Sequence, residues 1–85
     1  MARLLISYDL RKPNNSEKDY AALYDALDSM RAKRIQESVW VVRTDLDAMD
    51  LFAQVESHFY PRDRLLVAHM GGFRNRMGIS KISGI

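Results

Sequence analysis

The sequence predicts an α+β sandwich, with a four-stranded antiparallel sheet carrying two helices on one face. Three observations lead to this fold class. Residues 3–10, 33–43 and 64–70 are rich in strand formers, and residues 3–10 alternate with a period of two. Two intervening stretches instead repeat apolar residues at helical spacing. The order is strand, helix, strand, strand, helix, strand, so a strand–helix–strand unit occurs twice within 85 residues. That is the ferredoxin-like βαββαβ arrangement. It assigns residues 1–72 to one domain and residues 73–85 to a basic C-terminal arm.

The first strand is expected over Arg3–Leu10. Leu4, Ile6, Tyr8 and Leu10 form a fully apolar face; Arg3, Leu5, Ser7 and Asp9 form a mixed one. Pro13 and two asparagines then make a loop, and Ser16 is a suitable N-cap with Asp19 three residues on. The first helix is expected over Glu17–Met30, its stripe formed by Tyr20, Leu23, Tyr24, Leu27 and Met30.

Residues 32–44 hold β-branched residues and no Gly or Pro turn, so one bent strand and a tight hairpin near Gln36–Ser38 both fit. We read two strands, Lys33–Gln36 and Val39–Arg43, with Trp40 and Val42 on one face and Val39, Val41 and Arg43 on the other. Thr44 or Asp45 is expected to cap the second helix, Leu46–Phe59. Its stripe is Ala48, Leu51, Phe52, Val55 and Phe59, and Pro61 ends it. The last strand is expected over Arg64–Met70, and Ile79, Ile82 and Ile85 fit an extra C-terminal strand or an arm. Helices cover one sheet face; Leu5, Val39 and Val41 fall on the other, which favours a homodimer.

Composition narrows the chemistry. With no cysteine, a disulfide framework and a thiolate zinc site are excluded, in keeping with a reducing, cytoplasmic setting. The N-terminal stretch is too short and polar for a secretory leader, and no run has the length of a membrane helix. Residues 1–60 hold eight basic and ten acidic residues, whereas residues 61–85 hold five basic residues and one acid. A positive segment of that kind suits phosphates, and equally a solvated tail. Neither glycine-rich nucleotide-binding motif occurs, and His58 and His69 are isolated, so no hydrolytic triad is legible.

Asp9 is the candidate for chemistry. A carboxylate at the end of a central strand lies where the loops gather. One Asp is a poor Mg²⁺ site, but a two-fold dimer would bring two together, able to hold a metal that polarises a phosphodiester and activates water. The alternative is that Asp9 caps the loop through the backbone of Arg11 or Lys12, or pairs with a nearby Arg.

Tyr8-Asp9-Leu10 and Gln36-Glu37-Ser38-Val39-Trp40 together resemble the motifs of the small CRISPR-associated endoribonuclease-type family, whose members double as dimeric adaptors of the spacer-integration complex. VapD-type toxin ribonucleases and SinR-like small proteins share its fold, and "LLISYDL", "SVWVVRTDL" and "DRLLVAHM" look closest to the latter. The resemblance spans roughly residues 3–70. It implies a ferredoxin-like homodimer with Asp9 in the metal-binding position for Mg²⁺-dependent phosphodiester cleavage, and Ser38 near the same interface. Ser7 and Tyr8 would support that site. The chain departs from the family pattern at Arg31-Ala32, where a Gly is usual before the second strand, and at Val41-Val42, where an acid or Gly often follows the aromatic residue.

Two functions follow as expectations. The first is a Mg²⁺-dependent nuclease, with Asp9 holding the metal and Arg11, Lys12, Arg34, Arg74 and Arg76 holding the phosphates of RNA or DNA. The second is a non-catalytic dimer that grips nucleic acid or a protein partner.

Overall fold

The computed structural model describes residues 2–11 and 20–71. Its elements follow the predicted order: β1 Ala2–Asp9, α1 Ala21–Ser29, β2 Lys33–Gln36, β3 Val39–Thr44, α2 Ala48–Glu56 and β4 Arg64–His69. The Ser16 cap, the C-terminal arm and the extra strand lie outside the described residues.

One four-stranded sheet has the order β2-β3-β1-β4, and every pairing is antiparallel. This is the ferredoxin-like topology. Strand β1 is interior, between β3 and β4, and β2 and β4 form the edges. The hairpin reading of residues 33–44 holds: β2 and β3 meet across a turn at Glu37–Ser38, with an irregularity between Arg34 and Gln36. An extra residue there increases local twist.

Alternation on β1 sends Leu4, Ile6 and Tyr8 to one face, where they join Trp40 and Val42 of the sheet. Leu23 and Leu27 of α1, with Leu51 and Val55 of α2, complete the same cluster. The i, i+4 spacing of each helix pair puts both residues on the buried side. Both helices therefore cover one sheet face. On the other face Val41 is buried with Ile35, against Val39 and Met70, while Leu66 stays exposed.

The helix ends explain two departures from expectation. Helix α1 closes in a Schellman motif: Ala32 N donates to Leu27 O and Arg31 N to Asp28 O, each at 3.0 Å. The motif places a left-handed residue after the cap, and Arg31 has φ 60°. Glycine takes that conformation freely, whereas a side chain costs about 1–2 kcal/mol. The chain thus keeps the backbone that a glycine would favour while carrying an arginine.

Helix α2 is capped by Asp47, which accepts from Asp50 N at 2.9 Å, and not by Thr44 or Asp45 as expected. Thr44 Oγ1 instead accepts from Leu46 N at 3.2 Å, making the turn that leads to the cap. The helix also ends before Phe59. Its last turn tightens through His58 N to Val55 O and Phe59 N to Glu56 O, which swings Phe59 back onto the core.

Candidate functional site

Asp9 ends β1 on the helix-free face, directly opposite Arg64 of β4. Its side chain is 52% exposed. Pairing of β1 with both neighbours fixes its direction, since a one-residue slip would turn Tyr8 out of the core. One carboxylate oxygen, Oδ2, accepts from Arg11 Nε at 3.0 Å and from the terminal Nη2 at 2.7 Å. The cross-strand Arg64 makes no ion pair with it. Asp9 therefore pairs with a nearby arginine, the alternative left open by the sequence.

The chain just past β1, at Arg11, is held by another carboxylate. Asp63, at the entry to β4, accepts from Arg11 N at 2.6 Å and from the Tyr20 hydroxyl at 3.0 Å, both on Oδ1. Its Oδ2 accepts from Tyr60 N at 2.8 Å. One side chain thus joins the end of β1, the start of α1 and the turn before β4. In the sequence "YPRD" reads only as the stop after α2. The bond back to Tyr60 N spans only three residues and is local; the contacts to Arg11 and Tyr20 are 52 and 43 residues distant in sequence and leave no local signal.

Pinning this corner gathers three guanidinium-bearing residues. Arg11, Arg62 and Arg64 line an open cleft of about 280 Å³. The side chains of Arg62 and Arg64 form no hydrogen bond or ion pair with any described residue, and both residues are exposed. Asp63 makes no ion pair with them, because its oxygens are turned to the backbone and the Tyr20 hydroxyl.

The remaining sequence candidates divide. Ser7 lies opposite Val39 and Leu66 on the open face, two residues before Asp9. Ser38 is brought close through its backbone, where Tyr8 N donates to Ser38 O at 3.1 Å. Tyr8 points the other way, into the core, and its hydroxyl accepts from Trp40 Nε1 at 2.9 Å. Burial raises its phenol above the ordinary value of 10.0, against the lowering effect of the Trp40 hydrogen bond.

Arg34 is not brought to Asp9. It lies on the edge strand β2 opposite Trp40, on the helix-covered face. Its guanidinium carbon sits 5.2 Å from the Tyr24 ring centre and 5.5 Å from that of Trp40, while its Nε donates to Glu37 O at 2.8 Å. Those contacts brace the hairpin turn. Lys12, Arg74 and Arg76 lie outside the described residues. His69 is opposite Leu4, near the other end of β1.

Among the described residues no group of three or more His, Asp and Glu side chains is arranged to hold a metal. Asp9 alone supplies one half-exposed carboxylate with Oδ1 facing no described donor. A single carboxylate is a donor of the kind Mg²⁺ takes, because this ion is commonly held by one or two carboxylates together with water and phosphate oxygens. No described helix is long and apolar enough to cross a membrane.

The model of the family described as CRISPR associated protein Cas2 matches residues 1–76. The chain belongs to that family.

Proposed function

From this membership and the corner around Asp9, we propose that the chain is a homodimeric, Mg²⁺-dependent nuclease that cleaves a phosphodiester of RNA or DNA. One observation carries the reading: a half-exposed carboxylate ends the interior strand β1 on the helix-free face, beside a cleft lined by Arg11, Arg62 and Arg64. Two copies docked through that face would bring two Asp9 side chains together. Mg–O bonds are about 2.1 Å, so the carboxylates must approach a common ion closely. When bound, the ion would polarise the phosphodiester and lower the pKa of an attacking water.

The chain's own residues do the rest. To hold an ion, Asp9 would give up its pairing with Arg11, whose guanidinium would then be available to a phosphate oxygen of the strand. Ser7 and the Ser38 segment line the same part of the face. Lys12, Arg74 and Arg76 would extend the grip on the backbone.

A second reading is favoured by the Asp9–Arg11 ion pair, which leaves Asp9 engaged without any metal. In it the dimer is a non-catalytic adaptor for nucleic acid or protein. Purified protein incubated with RNA and with DNA, with and without Mg²⁺, separates the two. Cleavage that needs Mg²⁺ and is lost in Asp9→Ala is expected for the nuclease. Equal cleavage by the variant overturns the role of Asp9. Binding without cleavage, weakening steeply with salt, establishes the adaptor.

A further inference from the structure

The cleft between the end of β1 and the start of β4 is built for a small anion. We propose that Arg11, Arg62 and Arg64 bind the terminal phosphomonoester of a nucleic-acid strand. This rests on nucleic acid being the partner, as in the reading above, but not on cleavage.

Three observations converge. Every described residue lining the cleft is an arginine. Among the described residues the apolar lining comes only from arginine stems, and about 280 Å³ lies at the lower limit of sites that enclose whole organic ligands. The occupant is therefore a compact, strongly charged group.

The second observation is preorganisation. Asp63 fixes the backbone on both sides of the cleft through Arg11 N and Tyr60 N, and Asp9 holds the Arg11 guanidinium by its Nε edge. The side chains that carry the charge are thus mounted on an anchored loop and on a strand end. Less ordering is left to be done when a ligand arrives.

The third is charge. Arg62 and Arg64 have no ion-pair partner among the described residues; Asp9 pairs with Arg11, and Asp63, bonded to neutral donors, offsets one further charge, which leaves the described corner positive. Neighbouring guanidiniums repel, and a dianion relieves that repulsion more fully than a monoanion. An internal phosphodiester carries one charge and two free oxygens. A terminal phosphate carries about −1.5 to −2 near neutral pH and three acceptor oxygens, enough for one charge-assisted contact to each arginine.

The test measures binding in EDTA, so that cleavage plays no part. Anisotropy titrations compare one strand bearing a 5′-phosphate, a 3′-phosphate or hydroxyls at both ends. A terminal phosphate is expected to tighten binding on the order of tenfold. Arg62→Gln combined with Arg64→Gln is expected to remove that preference, so that all three strands bind with one common affinity, lower than the native chain's by what the loss of two cations costs any strand. Both residues are exposed, so the fold is not at stake.

Equal affinity for all three strands overturns the proposal. So does equal weakening toward all of them in the double variant, which would put internal phosphates in the cleft. If no strand binds, the reading as a nucleic-acid protein fails, and inorganic phosphate still tests the site. Titrated at constant ionic strength, it is expected to shift the guanidinium N–H resonances of the native chain and not those of the double variant; unshifted native resonances would overturn the site itself.

Discussion

Tyr8 and Asp9 are consecutive residues of β1, yet they face different solvents. Tyr8 lies under the helices, 6% exposed, with its hydroxyl bonded to a buried indole. Asp9 lies on the opposite face, half in water, paired to an arginine that is itself nearly half exposed. The two hydrogen-bonded contacts have similar lengths and different consequences. Around Tyr8 water cannot replace a lost partner; around Asp9 it can. The covered face therefore holds the fold, and the open face is free to change partners, which is what a ligand site requires.

Asp63 is where the two faces are tied together, so its loss is expected to be the largest effect. It serves Arg11 on the open side and Tyr20, 1% exposed, on the core side. Asp63→Ala removes the acceptor for three donors and is expected to cost about 1.5–3 kcal/mol, read as a lower denaturant midpoint at unchanged slope. Asp63→Asn, which keeps one carbonyl oxygen, should recover part of it. A cost within experimental error for the alanine variant would mean that the corner is held by something else.

Tyr8→Phe probes the covered face alone. It leaves Trp40 Nε1–H buried without its acceptor, at an expected cost of about 1–3 kcal/mol. The same residue gives the covered face a pH signature. Burial raises the folded-state pKa of Tyr8 above 10.0, so the folded chain holds the phenol proton more tightly than the unfolded chain. The resulting stability is fully present below 10.0 and is lost as pH rises through the folded pKa. Chemical denaturation of native protein and Tyr8→Phe across the alkaline range checks this: the variant should lack that part of the decline. Parallel curves would show that Tyr8 does not couple to folding.

Much of this division can be read from the chain itself. Alternation in "LLISYD" places Tyr8 inward and Asp9 outward, and the stripes through Leu23 and Leu27 and through Leu51 and Val55 fix which face the helices cover. Local chemistry was harder to read where several residues compete for one task. Thr44, Asp45 and Asp47 are all suitable caps, and the choice of Asp47 depends on where the chain leaves β3. Arg34 reads as one more surface cation, because the stacking of its guanidinium on Tyr24 and Trp40 appears only once β2, β3 and α1 are assembled. The Arg11–Arg62–Arg64 cleft joins residues more than 50 apart in sequence, and the strand pairing that unites them leaves no periodic trace.

The smallest effect is expected at Asp9, and its smallness matters for function. An exposed ion pair gains little over separate hydration, so Asp9→Asn should change stability by less than about 1 kcal/mol. A cycle with Arg11→Gln should give a coupling of the same size, vanishing near 1 M salt, where screening acts over about 3 Å. Both are measurable by denaturant titration at low and high salt. A ligand that needs the Asp9 carboxylate, or the Arg11 guanidinium, then has little to overcome in separating them. A coupling above about 2 kcal/mol that persists in salt would instead make the pair a structural clasp. The contrast between Tyr8 and Asp9 would then disappear, and Asp9 would be no freer to meet a metal than Tyr8 is to leave Trp40.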